Sequence, residues 1–194
     1  VVKSIRNFWE SKEKFAALNC IYKRGILLMG PPGSGKTSTV MLVVDDVIKN
    51  GGIALNVPDP LLLQRTLTEI RSIEKERPIV NIIEDIDEML RPENEYDRRL
   101  LLSVLDGELQ IDTVVHIATT NHPEVLDPRI TQRPSRFDEL VIFAAPTPAI
   151  REYYFRKKLA VQLSEEQLRQ WVQDTHDFSL ASLRELIVAV FCLG

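Results

Sequence analysis

The chain is 194 residues long and 44% of its residues are hydrophobic, which suits one sizeable α/β core with a small appended domain. Its formal net charge of −4 excludes a general electrostatic attraction to nucleic acid or to anionic membranes. The longest apolar runs are only as long as strands, so neither a signal peptide nor a membrane-spanning segment is expected. The sequence begins at Val1 rather than at a methionine, which indicates a processed product or an excised domain.

The first half of the chain alternates helical patterns with short apolar runs. Apolar residues at near-helical spacing predict a helix over 5–18, and a second helix is expected from Lys36 to the glycine pair at 51–52. Asp59 and Pro60 are typical of an N-cap and a first helical residue, which predicts a third helix after them. The continuous apolar runs predict strands at 26–29, 53–57 and 79–83.

The second half of the chain continues this alternation and then becomes entirely helical. A helix over 98–105 and strands at 114–118 and 140–143 bring the strand candidates to five. This pattern predicts an α/β fold, a doubly wound parallel five-stranded sheet with helices on both faces. After the sheet, helices are expected at 150–163, 164–171 and 180–191. We therefore predict two domains, a core over 1–145 and a small all-α domain over 146–194.

A glycine-rich loop, GPPGSGKT, joins the first predicted strand to the helix that follows it. Its spacing is typical of a P-loop, whose backbone N–H groups surround a phosphate at a helix N-terminus. In that arrangement Lys36 reaches the β- and γ-phosphates, and Thr37 offers its hydroxyl to Mg²⁺. A chance match is the alternative, and it is weakened because the loop falls at the expected strand-to-helix turn. The predicted binding residues are Gly30, Pro31, Pro32, Gly33, Ser34, Gly35, Lys36, Thr37 and Ser38.

An acidic pair, Glu84 and Asp85, follows the strand predicted at 79–83, at the edge where parallel sheets bind ligands. One carboxylate would hold Mg²⁺ through its water shell, and the other would polarise the water that attacks the terminal phosphate. We assign Glu84 to the metal and Asp85 to the water, and the opposite assignment stays open. The alternative interpretation is a pair of solvated loop acids, which the upstream P-loop disfavours.

Three polar residues follow the strand predicted at 114–118. Asn121 stands where its amide can orient the attacking water, although an asparagine before proline is also a common turn residue. Arg133 and Arg136 belong to the sequence RPSRF. They are either surface charges or guanidinium groups that reach a neighbouring subunit's nucleotide and stabilise charge on its phosphoryl oxygens.

These motifs resemble those of the AAA+ ATPases, and specifically of the AAA branch. GPPGSGKT is similar to the family's Walker A, IVNIIEDID to its Walker B, and ATTNHPEVLDPRITQRPSRFD to its second region of homology. The resemblance implies that ATP or ADP binds with Mg²⁺ and that Asn121 is sensor 1. It also implies that Arg133 and Arg136 are arginine fingers acting in trans in a homo-oligomeric ring, expected to be a hexamer. The segment FSLASLRELIVAV resembles the family's lid motif, which implies that Ala181 lies near the nucleotide.

Two departures from the family pattern bear on mechanism. The family usually has Asp then Glu in Walker B, whereas this chain has Glu84 then Asp85. That order resembles the branch of the mitochondrial Rieske-protein translocase. It shortens the water-polarising arm by one methylene, so hydrolysis slows unless the backbone compensates. The segment NVPDPL at 56–61 lacks the aromatic residue that peptide-threading AAA motors carry there, so threading by that device is not expected.

The resulting hypothesis is an AAA-type ATP hydrolase that remodels a protein or a complex within a ring. One alternative is a nucleotide-dependent switch or scaffold with little turnover. Another is a loader-type ATPase acting on nucleic acid, against which the acidic net charge argues. Cys20 and Cys192 lie among apolar residues and are expected to be buried thiols in a reducing compartment, which favours the cytoplasm. Arg184 is interpreted as a surface charge rather than a second sensor, and His116 as a strand residue.

Overall fold

A computed structural model of the chain divides into two units. The first comprises residues 1–29 and 36–142, and the second comprises residues 30–35 and 143–194. The predicted boundary between residues 145 and 146 stays a prediction. The structure describes residues 1–91, 95–109, 111–131, 133, 135–159 and 163–193.

The first unit contains a five-stranded sheet in which all strand pairs are parallel, as the sequence predicts. The strand order is β2-β3-β4-β1-β5, so β1 lies between β4 and β5. Because all the strands run the same way, their carboxyl ends lie along one edge, from which the segments after β3 and β4 begin. The strands are β1 (Lys23–Met29), β2 (Ile53–Asn56), β3 (Ile79–Ile83), β4 (Val114–Thr120) and β5 (Glu139–Ile142).

Of the three inner strands, β3 and β4 are buried along their whole length. Their sequences are continuous rather than alternating in hydrophobicity, as expected for parallel strands covered on both faces. A large apolar cluster includes Ile79 of β3 and the fully buried residues Leu67 and Leu105. The sheet is therefore a rigid support for the loops at its carboxyl edge.

Ten α-helices and one 3-10 turn are found among the residues that the structure describes. In the first unit these are α1 (Val2–Trp9), α2 (Lys12–Ala17), α3 (Lys36–Lys49), α4 (Pro60–Ile73), α5 (Ile86–Met89), α6 (Glu95–Asp106), α7 (Pro128–Thr131) and the 3-10 turn Pro123–Val125. In the second unit they are α8 (Pro148–Leu159), α9 (Glu165–Asp174) and α10 (Leu180–Phe191).

The helix ends show which local signals were reliable. The Asp59 side chain accepts a hydrogen bond from the Leu62 N–H at 2.6 Å, which confirms the predicted N-cap of α4. Gly51 follows α3 with φ of 79°, as a left-handed C-terminal glycine should. The single helix predicted over 5–18 is wrong, because the chain breaks between α1 and α2. At the break the Ser11 hydroxyl donates to the Asn7 carbonyl oxygen, which competes with helical hydrogen bonding.

The second unit has its own small core. Phe155, Leu159, Leu168 and Leu183 are buried together between α8, α9 and α10. The buried guanidinium of Arg151 donates hydrogen bonds to the backbone carbonyl oxygens of Pro146, Val172 and His176, which ties the helices and their connections together.

One sequence-based expectation about the cysteines is wrong. Cys20 and Cys192 are both exposed free thiols, although apolar residues flank them in the sequence. Apolar neighbours along the chain do not bury a residue when it falls after a helix end, as both cysteines do. Within the described ranges, no helix combines the length and apolarity needed to cross a bilayer.

Candidate active site

The phosphate-loop residues 30–35 adopt a conformation that requires glycine. Gly33 and Gly35 have φ values of 73° and 104°, in the left-handed region that other residues rarely adopt. A Cβ atom at Gly33 would lie 2.8 Å from the Cβ of Ala181, and the Ala181 N–H donates to the Gly33 carbonyl oxygen at 3.2 Å. The predicted lid residue Ala181 therefore contacts the loop itself.

Ser34, at the centre of this loop, carries an unsatisfied polar atom. Its side-chain oxygen is buried and has no hydrogen-bond partner among the described residues. A buried hydroxyl without a partner is costly, and a ligand oxygen in the loop would satisfy it. The unpartnered hydroxyl therefore favours a loop that binds a phosphate over a glycine-rich turn that binds nothing.

Lys36 is the first residue of α3, and its side chain is held in place. The residue is only 6% exposed, and its Nζ donates a hydrogen bond to Asn121 Oδ1 at 2.8 Å. Burial lowers the pKa of Lys36, while the nearby charges of Asp85 and Asp87 partly offset that effect. An ammonium held by carboxylates and an amide is positioned to bind an incoming anion.

Asp85 lies in a sharp turn between β3 and α5. It has φ of 47°, a left-handed conformation that Asp tolerates better than most residues. Its backbone N–H donates to Thr119 Oγ1 at 3.1 Å, and its Oδ1 accepts from Asn121 Nδ2 at 2.9 Å. Asn121 thus joins Lys36 to Asp85, and these three residues are called the lysine–carboxylate cluster below.

Glu84, Asp85 and Thr37 are all exposed. Carboxylate and hydroxyl oxygens are the ligands that Mg²⁺ prefers, and Mg²⁺ keeps much of its water shell. The donor set present therefore fits Mg²⁺, and the assignment of Thr37 and Glu84 as its ligands stays a prediction. No group of three or more acidic, histidine or cysteine side chains arranged to hold a metal occurs in the described part of the chain.

Two residues that the sequence analysis missed support the lysine–carboxylate cluster. Thr120 Oγ1, at the end of β4, donates to Asp87 Oδ1 at 2.6 Å and accepts from the His122 N–H at 3.0 Å. These bonds tie α5 to the end of β4 and so fix the turns that carry Asp85 and Asn121. Nothing in the sequence alone identifies Asp87 and Thr120 as partners, because they lie 33 residues apart.

The two predicted arginine fingers have different environments. The Arg136 side chain is 8% exposed, and its Nε and Nη2 donate to the two oxygens of Asp106, each at 3.0 Å. The Arg133 side chain is 57% exposed and approaches Asp106 through Nη1 at 3.3 Å. Asp106, Arg133, Ser135 and Arg136 are called the arginine–carboxylate cluster below. The sequence pattern assigns no role to Asp106, because its partner Arg136 lies 30 residues away.

Asp106 holds its charge in spite of its burial. Burial alone would raise the pKa of this carboxyl, but hydrogen bonds from Arg136 and Ser135 and the charges of Arg136 and Arg133 outweigh it. The pKa of Asp106 therefore lies below its ordinary value. Whether either arginine reaches another subunit stays a prediction. The exposed Arg184 side chain contacts Glu185 at 3.5 Å, as a surface charge would.

Three features define a P-loop nucleotide-binding protein: a glycine loop at a strand-to-helix turn, a lysine that follows this loop, and acidic and amide side chains after neighbouring parallel strands. The family model described as "ATPase family associated with various cellular activities (AAA)" matches residues 26–145. The chain belongs to this AAA ATPase family, and the fold and the recognised motifs agree with that membership.

Three relatives illustrate the similarity. The chain is 31% identical over 205 residues to the ATP-dependent zinc metalloprotease FtsH of Acidobacterium capsulatum, which covers 96% of this chain and 32% of that protein. It is 31% identical over 150 residues to the ATPase family gene 2 protein homolog B of Bos taurus (68% of this chain, 19% of that protein). It is 33% identical over 144 residues to Protein SAV of Sulfolobus acidocaldarius (66% and 18%). The chain spans a third or less of the length of these relatives.

Proposed function

We propose that this chain is the ATP-hydrolysing module of a ring-forming protein that remodels a protein or a protein complex. The observation that carries the proposal is the pair of hydrogen bonds by which the Asn121 side chain connects Lys36 to Asp85. It joins a loop lysine, a side-chain amide and a carboxylate, which are the groups that bind a phosphate and orient the water that attacks it. Membership of the AAA ATPase family supports the same chemistry.

Residues 30–38 would bind the phosphates of ATP, through backbone N–H groups, the Ser34 hydroxyl and the Lys36 ammonium. Thr37 and Glu84 would hold Mg²⁺, which when bound neutralises charge that develops on the phosphate oxygens. Asp85 would accept a proton from the attacking water, and Asn121 would keep that carboxylate and the water aligned. The exposed Asp85 can accept this role because one of its oxygens is already oriented by Asn121.

The oligomeric part of the proposal rests on the arginines. The segment that carries Arg133 and Arg136 would complete hydrolysis at a nucleotide bound by an adjacent protomer, in a ring that we take to be a hexamer. Residues 146–194 would serve as the helical lid of the module. Exposed free thiols at Cys20 and Cys192 suit a reducing compartment, and we place the protein in the cytoplasm. The net charge of −4 argues against nucleic acid as a partner.

The test is phosphate release from MgATP by the purified protein, compared between the wild type and Lys36→Ala. We expect the variant to lose nucleotide binding or turnover, because the loop loses its phosphate-binding charge. The matched control is Lys49→Ala on the same helix, whose ammonium is exposed and pairs with Asp45 four residues earlier. Equal turnover in the wild type and in Lys36→Ala would contradict the proposal.

A switch or scaffold with little turnover is the second candidate. The exchanged order of Glu84 and Asp85 favours it, because the aspartate side chain is one methylene shorter than the glutamate that the family usually has at that place. Steady-state phosphate release by the wild type and by Asp85→Asn separates the two candidates. A switch would bind ATP tightly and release phosphate no faster than Asp85→Asn does.

A further inference from the structure

The segment that carries Arg133 and Arg136 is fastened to strand β1 of its own chain. The Asp138 N–H donates to the Gly25 carbonyl oxygen, and the Gly25 N–H donates to Asp138 Oδ2, each at 2.8 Å. Gly25 also leaves the room that this contact needs, because a Cβ atom there would lie 1.8 Å from the Arg136 carbonyl oxygen. The backbone at Arg136 is thus pressed against the sheet.

A second set of bonds holds the same segment from the side. Lys23 Nζ donates to the Ser135 carbonyl oxygen, and Ser135 Oγ donates to Asp106 Oδ1 at 3.0 Å. Burial lowers the pKa of Lys23, and the charges of Asp138 and Asp106 partly offset this effect. The segment therefore lies on a polar support formed by β1 and the end of α6.

The two arginines differ in how firmly this support holds their side chains. Arg136 makes a two-point pair with Asp106, and both side chains are nearly buried, at 8% and 10% exposure. Withdrawing that guanidinium would leave a buried carboxylate without its strongest partner, which is costly. Arg133 is 57% exposed and contacts Asp106 through one nitrogen at 3.3 Å, a contact that an incoming phosphate can readily replace.

We propose a division of labour in which Arg136 is a positioning residue acting through Asp106, and Arg133 is the catalytic arginine presented to a neighbouring subunit's nucleotide. The inference rests on the proposed function and narrows it, since the family resemblance gives both arginines one role. Asp106 orients the segment through Arg136 and holds Arg133 loosely at the surface. The guanidinium of Arg133 exchanges its single carboxylate contact for phosphoryl oxygens when subunits assemble.

The test is ATP turnover by the assembled protein, with three variants. Arg133→Ala should lose about 1,000-fold in kcat, the usual effect of removing an arginine finger, while its thermal unfolding midpoint stays at the wild-type value. The double variant Asp106→Asn with Arg136→Gln keeps a hydrogen-bonded pair without its charges, and it should retain turnover within about tenfold of the wild type. Arg99→Ala is the control, because this exposed arginine lies on α6 and pairs with Glu95.

A mixing experiment adds a measurement that a purely structural role would not affect. Subunits with Lys36→Ala lack their own nucleotide site but carry Arg133, whereas Arg133→Ala subunits have the opposite defect. Mixed oligomers should therefore regain turnover that neither variant shows alone. If the neutral double variant does not fold, Asp106→Leu with Arg136→Met replaces the buried pair by apolar side chains and serves the same purpose.

The outcomes separate this inference from the proposed function. If the assembled wild type releases no phosphate, the proposed function is contradicted. The catalytic role of Arg133 is then contradicted as well, because it depends on ATP hydrolysis. An active wild type contradicts the inference alone if Arg133→Ala keeps full turnover or if mixed oligomers regain none. A folded neutral double variant that is as inactive as Arg133→Ala also overturns it, because the charge of Arg136 would then act on the nucleotide.

Discussion

The lysine–carboxylate cluster and the arginine–carboxylate cluster use the same kinds of side chains in opposite ways. In the first, Asp85 is exposed and Asn121 is half-buried, and each bond joins two groups that a ligand can also bind. In the second, Asp106 and Arg136 are buried against each other through two hydrogen bonds. The side chains of the first cluster can therefore exchange their hydrogen bonds for bonds to a ligand. The second cluster holds Asp106 and Arg136 in one fixed geometry.

This difference follows from the cost of separating buried charges. An exposed carboxylate that loses a hydrogen bond regains one from water, so substitutions there change chemistry more than folding. A buried carboxylate that loses its guanidinium keeps an uncompensated charge, so substitutions there change folding first. The first three predictions below test this contrast, beginning with the largest expected effect, and the fourth concerns a buried histidine of the sheet.

Asp85→Asn should reduce ATP turnover by about 100-fold or more, because it removes the group that accepts the proton of the attacking water. Thermal unfolding should stay at the wild-type midpoint, because the residue is exposed and Asn also tolerates φ of 47°. Glu84→Gln is the companion variant, and it should raise the Mg²⁺ concentration needed for half-maximal turnover. If Glu84→Gln abolishes turnover and Asp85→Asn does not, the two roles are reversed.

Arg136→Ala should lower the free energy of unfolding by about 3 kcal/mol, because it leaves Asp106 buried without its two-point partner. Arg133→Ala should cost much less, because that side chain is mostly exposed. Urea denaturation followed by circular dichroism measures both. Equal losses for the two variants would show that burial does not distinguish the arginines.

Gly25→Ala should destabilise the fold by about 2 kcal/mol or more, because its Cβ atom would lie 1.8 Å from the Arg136 carbonyl oxygen. Turnover should fall with stability, because the arginine segment must move away from β1. The control is Gly51→Ala, where φ is 79° but nothing lies within 4 Å of the added Cβ. That change introduces backbone strain alone, about 1 kcal/mol. A stable, fully active Gly25→Ala variant would contradict the close approach.

His116→Val should flatten the acid dependence of stability. His116 is buried beside Asn81 at 3.2 Å, and burial, assisted by the charge of Lys23, lowers its pKa to about 3 from 6.5. The folded state therefore keeps His116 neutral while the unfolded chain binds a proton below about pH 6.5, so stability falls as the pH decreases toward 3.

Between pH 7 and pH 5 the His116 contribution to this loss is about 2 kcal/mol, and the valine variant should not show it. Urea unfolding at the two pH values measures the difference directly. An unchanged loss in His116→Val would mean that other groups cause the acid dependence.

The elements with local signals were predicted from the sequence with little error. The Asp59 N-cap and the left-handed Gly51 were confirmed, and the predicted strands lie within a few residues of those observed. Such features depend on hydrophobic spacing and on the conformational preferences of one or two residues. The break at Ser11 and the exposure of Cys20 were missed, because a helix end and the packing around it depend on the rest of the fold.

The candidate site was predictable to the extent that its residues belong to contiguous motifs. Gly33 and Gly35 occupy backbone conformations that favour glycine, and the contact of Ala181 with Gly33 accords with the lid motif. Asp106 was missed because its partners lie about 30 residues away, and no periodic pattern links them. The supporting role of Thr120 was missed for the same reason, since Asp87 lies 33 residues from it.

The sequence by itself determined the class of fold, the phosphate loop and the identity of the acidic and arginine side chains, because each depends on neighbours a few residues away. Only the tertiary structure decided which of these side chains are bound to each other. Asn121 bridges Lys36 and Asp85 across 85 and 36 residues of sequence, and Arg136 is buried against Asp106 while Arg133 is exposed. Burial and pairing depend on how the strands bring distant segments together, and they separate two arginines that look equivalent in the sequence.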